Sequence, residues 1–472
     1  MGYKYRVVEI GEYVLIIQRE KNICFKMKKK EFEEEGDIKI REIIDGISKM
    51  RKKYDVTFPE NKKQMNTIYL FVTDYCNLNC EFCAMRSNNK DIKKEKLSQL
   101  EVKEHVIDKI RKANPRKLIV SGGEPFVLED ILDILKELKE NINTKIIVQT
   151  NATLLTEKTI KSLNGIINSI EISTAHYKNT EQLKEKIALL NKYKIDVVLT
   201  FTYQNEKEKM LLREIIDMAA YYDADFLLHF VDYAGSAADR GYPLLNYQER
   251  LKVYCYFAKY IIEKGYTNKR FAGNLFHAVE LSHPCSAFGK MAAFFPDGNI
   301  YLCHSLVKEK YRIGSIEQET DIEQSIEKIL SNDNVEKLFY MPNEKCKTCK
   351  FNCVCGGMCP ALIEEGVDSD CTLRKIMFIY SMFIFDKNEN IAINLEKRKS
   401  ISNFCDMYII SENYLYKFLM KGGVKMLEHK ENKELTEAEV NAYDLVIICY
   451  GKLRKDCLTD CLDGTYWLSP EQ

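Results

Sequence analysis

Cys76, Cys80 and Cys83 stand in a CxxxCxxC spacing, close enough for three thiolates to wrap one small metal cluster. A cubic 4Fe-4S cluster has four irons, so three thiolates leave one iron open to bind something else. A zinc knuckle is the competing reading, but zinc sites usually pair two short Cys or His halves, and no fourth ligand lies nearby. A second group of cysteines, between 285 and 371, follows after a long gap: residues 84–254 contain none. The chain of 472 residues holds 17 cysteines in all, and compartment decides what so many are for. The start, Met1 to Arg6, has no apolar h-region and no cleavage site, and Arg6 stands where a myristoylation signal needs Ser or Thr. The longest apolar run, 376–385, is about half of what a bilayer requires. A cytoplasmic chain without a membrane partner follows, and in a reducing compartment its cysteines point to metal rather than disulfides.

The elements that must position the first three thiols are legible as alternating runs. Strands are expected over 67–73, 117–121, 145–150, 169–173, 197–202 and 226–231, with amphipathic helices such as 101–113 and 128–141 between them. Six βα units in a row imply a parallel sheet or partial barrel whose functional site lies at the C-terminal strand ends. The cysteine loop follows the first strand, Ser121-Gly122-Gly123-Glu124-Pro125 follows the second, and Gln149-Thr150-Asn151 ends the third. A Gly-Gly turn there gives close backbone approach to a ligand, and Glu124 offers a carboxylate for an ammonium group.

Together, the CxxxCxxC loop with Phe82 before its last cysteine and the GGEP turn resemble the radical S-adenosylmethionine (SAM) superfamily over about residues 66–240. The resemblance implies an α/β fold, a partial (β/α)6 barrel, in which the open iron of a 4Fe-4S cluster chelates the amino and carboxylate groups of SAM. Electron transfer then cleaves the sulfonium and releases a 5′-deoxyadenosyl radical that abstracts a substrate hydrogen. It further implies that Cys76, Cys80 and Cys83 bind the cluster and that Phe82 lies by the adenine. Ser121, Gly122, Gly123, Glu124 and Pro125 hold the methionine end, with Thr150, Asn151 and Ser173 lining the rest. This chain departs from many relatives after the fourth strand, where Ser173-Thr174-Ala175-His176 replaces Ser-x-Asp-Gly. The arginine that holds the SAM carboxylate is missing too, leaving Lys178 or Lys184 as substitutes. His176 reads most simply as an exposed loop histidine.

The downstream group runs Cys285, Cys303, Cys346-x2-Cys349-x5-Cys355-x3-Cys359 and Cys371, with a Phe295-Pro296-Asp297-Gly298-Asn299 turn before Cys303. It resembles the SPASM extension of radical SAM enzymes that modify peptides or proteins. By that resemblance Cys346, Cys349, Cys355 and Cys371 hold one auxiliary iron-sulfur cluster, and Cys285, Cys303 and Cys359 hold another. The second set has three thiolates. Met291 stands roughly where sulfatase-maturing relatives have a further cysteine, so either an iron is open to a substrate thiolate or Cys353 or another group completes it. Clusters that only brace the fold and relay electrons are the plainer reading. Cys24, Cys255, Cys353, Cys405, Cys449, Cys457 and Cys461 read mostly as small buried hydrophobes.

Residues 1–64 read as three strands (5–9, 13–18, 23–27) and a charged helix over 30–53, resembling in pattern the small winged-helix domain that binds a leader peptide by strand addition. The expected division is 1–64 peptide recognition, 65–245 radical SAM barrel, 246–284 linking helix region, 285–375 SPASM domain and 376–472 an extension without a motif. The resemblance implies maturation of a ribosomally made, cysteine-rich precursor peptide by thioether formation, with flavodoxin or ferredoxin as electron donor. Formylglycine formation on a sulfatase, carbon-carbon crosslinking and epimerisation are the enzymatic alternatives, and a non-catalytic redox sensor the one from another class. Lys plus Arg and Asp plus Glu both number 70, so no basic excess suggests nucleic acid as partner.

Overall fold

A computed structural model describes residues 5–10, 13–18, 23–53, 65–87, 93–177, 179–275, 285–318, 321–340, 346 and 359–367. The first three strands, β1 (Arg6–Ile10), β2 (Tyr13–Gln18) and β3 (Ile23–Lys28), pair antiparallel in the order β1-β2-β3, and α1 (Lys29–Lys53) follows. Phe25 and Met27 alternate into the interior with Val14 and Ile16 of β2, where Ile40 and Ile44 of α1 are also buried. The edges β1 and β3 each keep one side without a strand partner in this sheet.

The main sheet contains six parallel strands: β4 (Thr67–Phe71), β5 (Lys117–Ser121), β6 (Lys145–Thr150), β7 (Ser169–Ser173), β8 (Asp196–Tyr203) and β9 (Asp225–Phe230). Between them run α2 (Gln99–Glu101), α3 (Ile107–Ala113), α4 (Ile131–Asn141), α5 (Glu157–Leu163), α6 (Glu181–Lys192) and α7 (Lys209–Tyr222). Burial alternates along the later strands. On β7, Ile170 and Ile172 are fully buried while Ser169, Glu171 and Ser173 between them are not, and β6 and β8 repeat the pattern. One face of the sheet packs on the helices and the other lines an accessible lumen, as expected of a partial barrel.

Two boundaries move for physical reasons. The first strand ends at Phe71, because beyond it the chain leaves the ladder and Thr73 keeps a single antiparallel bridge, to Lys96. The helix expected from 128 begins at Ile131, because Pro125–Val127 forms a 3-10 turn capped by the Glu124 side chain. After β9 come α8 (Gly235–Asp239) and α9 (Tyr247–Glu263), whose Phe257 packs edge-on against Phe226 of β9, with ring centroids 5.2 Å apart.

The downstream segment continues the same sheet. β10 (Met291–Phe294) lies parallel to β4, Met291 opposite Thr67, and β11 (Asn299–Tyr301) and β12 (Arg312–Ser315) follow antiparallel. The order is β12-β11-β10-β4-β5-β6-β7-β8-β9, so the strands expected in a separate cluster domain extend the barrel sheet. Gly298 supplies the positive φ of 81° that closes the Pro-Asp-Gly turn between β10 and β11. Then come α10 (Ile322–Leu330), α11 (Asp333–Tyr340) and α12 (Pro360–Glu364). The calls on 376–385 and 446–450, and those on Cys349, Cys353, Cys355, Cys371, Cys405, Cys449, Cys457 and Cys461, lie outside the described residues, as do the side chains of Cys24 and Cys255.

Candidate functional site

The cysteine loop starts where β4 ends, and backbone contacts hold it from two sides. On one side, the Gly122 and Gly123 turn packs against it: Gly123 N–H donates to the Thr73 carbonyl at 2.7 Å and Glu124 N–H to the Tyr75 carbonyl at 2.8 Å. A Cβ on Gly122 would lie 2.4 Å from the Thr73 oxygen, and one on Gly123 2.1 Å from the Tyr75 oxygen. The two glycines therefore admit the backbone of the cysteine loop itself. On the other side, Ser236 N–H of α8 donates to the Cys83 carbonyl at 2.8 Å, and a Cβ on Gly235 would lie 2.3 Å from that same oxygen. Arg86 and Asp239 add a charged pair at 2.6 Å across the same junction.

Glu124 is 1% exposed. Its carboxylate accepts from Thr150 Oγ1 at 2.7 Å, Asn151 N–H at 2.7 Å and Phe126 N–H at 3.2 Å. Burial pushes its pKa up and those three bonds oppose it. With these donors engaged, Glu124 ties the second strand end to the third. Asn151 carries the tie onward: its amide donates to Asn77 Oδ1 at 2.9 Å and approaches Cys76 Sγ at 3.9 Å. Tyr177 O–H donates to the Asn151 carbonyl at 2.9 Å. Gly122, Gly123, Glu124, Thr150 and Asn151 thus converge on the cysteine loop, with Ser121 and Pro125 buried beside them. Phe82 and Ser173 are half-buried.

The three thiols interact with one another. Burial pushes Cys80 up to about 11, with further rises from the charges of Cys83 and Cys76. Cys76 is raised mainly by burial too, against the Leu78 N–H that donates to its sulfur at 3.4 Å. None of the three is in a disulfide. Among the described residues, no three His, Cys, Asp or Glu side chains converge as one metal ion needs.

Of the downstream cysteines, Cys285, Cys303, Cys346 and Cys359 are described, all outside disulfides. Cys303, 7% exposed, follows β11, and Cys359 caps α12. The two lie close enough that charge on Cys303 raises the Cys359 thiol, though burial raises it more. Burial pushes the Cys303 thiol up, and backbone N–H groups of Ser305, Leu306 and His304 oppose the rise. Met291 lies on β10.

His176 is not an exposed loop residue. Its Nε2 is buried without a hydrogen-bond partner, its ring stacks on Tyr177 with centroids 4.3 Å apart, and burial lowers its pKa to about 4. Lys184 lies on α6 with its ammonium 2.5 Å from Glu181, and Lys178 is outside the described residues.

The lumen holds residues that no motif announced. Tyr69 stacks on Phe71 at 5.9 Å and on His304 at 4.6 Å, and Phe71 packs on Phe295 at 4.9 Å, giving one aromatic wall. On the other wall Gln149 Nε2 donates to Glu171 Oε2 at 2.7 Å, and His229 of β9 feels the Glu171 charge. The only sequence signal was the alternation Ser-Ile-Glu-Ile-Ser of β7, which turns Glu171 away from the core.

Two family descriptions match this chain: "Radical SAM superfamily" over residues 70–215 and SPASM, "Iron-sulfur cluster-binding domain", over residues 285–354. A cysteine-type anaerobic sulfatase-maturating enzyme of Clostridium perfringens is 25% identical over 366 residues, covering 68% of this chain and 96% of the relative. An uncharacterized protein of Archaeoglobus fulgidus is 24% identical over 379 residues, covering 71% and 86%. Among solved structures, native anSMEcpe with bound AdoMet superposes with TM-score 0.50 at 17% identity, covering 72% of this chain and 98% of that one. Native anSMEcpe with bound AdoMet and Kp18Cys peptide also gives 0.50, at 18% identity and 72% and 97% coverage.

Proposed function

We propose, from the premise that this chain carries a radical SAM domain and an iron-sulfur cluster-binding SPASM domain and is an enzyme of that class, that it matures a ribosomally made peptide by forming thioether links. Its cofactors are a 4Fe-4S cluster and SAM, which together supply a 5′-deoxyadenosyl radical able to take a hydrogen from an unactivated carbon. The observation that carries the reading is the cysteine loop clamped between Gly122-Gly123 and Gly235 with its thiols outside any disulfide. In this reading Cys76, Cys80 and Cys83 hold the radical SAM cluster. Ser121, Gly122, Gly123, Glu124, Pro125, Thr150, Asn151, Ser173 and Phe82 form the SAM side of the pocket.

What these residues do is positional. Glu124 and Asn151 fix the third strand end against Cys76, so the cluster side of the pocket is built before SAM arrives. Cys285, Cys303 and Cys359, with Cys346, Cys349, Cys355 and Cys371, are assigned to auxiliary clusters. The pairing of Cys303 with Cys359 supports one of these sites. An auxiliary iron left open by three thiolates would hold a substrate cysteine as thiolate beside the lumen. The three-stranded N-terminal sheet, in which β1 and β3 are the edge strands among the described residues, suits addition of a leader strand. A one-electron donor of the flavodoxin or ferredoxin class completes the cycle. Among the described residues no helix is long and apolar enough to cross a membrane, and we place the enzyme in the cytoplasm.

The second reading is formylglycine formation on a sulfatase, favoured by the 68% of this chain that aligns with the C. perfringens maturase. Anaerobic incubation of the reduced holoenzyme with the peptide encoded beside its gene, and separately with a sulfatase-derived cysteine peptide, decides between them by mass spectrometry. Loss of two hydrogens per link with the cysteine resistant to alkylation supports thioether formation. An unchanged precursor beside an oxidised sulfatase peptide overturns it.

A further inference from the structure

The polar wall of the lumen has a composition that a substrate-indifferent barrel would not need. Glu171 sits between Ile170 and Ile172, both fully buried on the helix side, so its carboxylate faces the lumen. Gln149 lies opposite it in register on β6 and donates to Oε2 at 2.7 Å, which fixes the carboxylate and uses the amide N–H of Gln149. In register Glu171 stands level with Val198 and Asp225, Ser173, Thr200 and Leu227 share the next inward level, and Thr202 with His229 of β9 the one after it. The His229 side chain is open to solvent, yet the barrel wall encloses it enough to lower its pKa, with the Glu171 charge opposing. The lowered pKa favours the neutral imidazole, whose ring nitrogen can accept a hydrogen bond.

The wall therefore offers a carboxylate oxygen, an imidazole lone pair and the hydroxyls of Thr200, Thr202 and Ser173. From Gln149 and Glu171 to the strand ends, no inward position of β6 to β9 carries a lysine or arginine. An ammonium is complementary to such a set, since it brings three donors, no acceptor and a charge opposite to that of Glu171. On β4 the half-buried Tyr69 adds an aromatic ring, backed by the buried Phe71 and Phe295, on which an aliphatic stem can lie.

We propose that Glu171, positioned by Gln149 and assisted by His229, is a specificity-determining residue: the lumen selects peptides that place a lysine side chain on this wall next to the residue being modified. The proposal rests on the peptide-maturase reading and narrows its substrate class to lysine-bearing segments. Saturation-transfer NMR on the anaerobic, SAM-loaded holoenzyme tests it with two probes, Ac-Gly-Lys-Gly-NH2 and its norleucine counterpart. The wild type should saturate the lysine side chain at least fivefold more than the norleucine. Glu171→Gln should remove that difference, and Glu171→Lys should transfer the preference to Ac-Gly-Glu-Gly-NH2. SAM cleavage by the variants, read separately, reports whether the barrel is intact. Equal saturation of the lysine and norleucine probes by the wild type, or a lysine preference that survives in a folded Glu171→Gln variant, overturns the proposal. Because these probes report binding alone, that result would leave the maturase reading standing, whereas an unmodified precursor with intact lysine binding would count against the reading alone.

Discussion

Cys80 carries a thiol pushed up to about 11 by burial and by its neighbours' charges, so at pH 7 the cluster-free protein keeps that proton. Cluster assembly needs thiolates, and assembly must therefore release protons and proceed more completely as pH rises. Reconstitution with iron and sulfide should yield less iron per chain at pH 6.5 than at pH 8.5. A yield independent of pH would contradict the burial that raises Cys80. Glu124 makes the second case at this scale. Gln in its place keeps the shape but turns an N–H2 toward backbone and hydroxyl donors, and hydrogen bonds to a charged group are worth roughly 1.5 to 3 kcal/mol. Glu124→Gln is expected to cost about 2 kcal/mol in chemical unfolding of the cluster-free chain. Little change would mean that the carboxylate is a cofactor ligand first and a brace second. The residue types at this site were legible because the spacing of cysteines and the GGEP run are rigid demands of chemistry. Which atoms they touch was not: nothing in Gly122-Gly123 says that they admit the Thr73 to Tyr75 backbone.

Strands β5, β6 and β7 have the bounds expected from the sequence, because parallel neighbours on both sides pair the whole of each β-branched segment. The elements that surprised are those whose partners are distant. Met291–Phe294 looked like half of a hairpin and also pairs with β4, more than two hundred residues earlier in the chain. Gly235 stands in no motif. Its φ of 57° and the 2.3 Å approach to the Cys83 carbonyl make α8 the outer jaw on the cysteine loop. Gly235→Ala should therefore lose iron without removing any ligand, since a Cβ must displace the loop or α8, at a cost of about 3 kcal/mol. Iron content and the 5′-deoxyadenosine yield should both fall severalfold, while far-ultraviolet circular dichroism stays near that of the wild type. Full iron content in this variant would show that α8 does not hold the loop.

The whole molecule combines a barrel whose helices bury one face of each strand with a lumen whose two walls differ, aromatic toward β4 and β10 and polar toward β6 and β9. Its overall class was legible from six alternating units and two cysteine groups. The lumen was not, because Glu171 and His229 stand in no motif and only the folded sheet brings the Glu171 charge within reach of His229. The central claim is that this lumen presents a peptide to a radical made at Cys76, Cys80 and Cys83. The most direct test is transfer of deuterium from a precursor peptide, perdeuterated at its non-cysteine residues, into 5′-deoxyadenosine under reducing anaerobic conditions. The wild-type enzyme should give deuterated 5′-deoxyadenosine together with the crosslinked peptide, and Cys80→Ala should give neither. Formation of 5′-deoxyadenosine that stays free of deuterium, or its persistence in Cys80→Ala, would contradict the account.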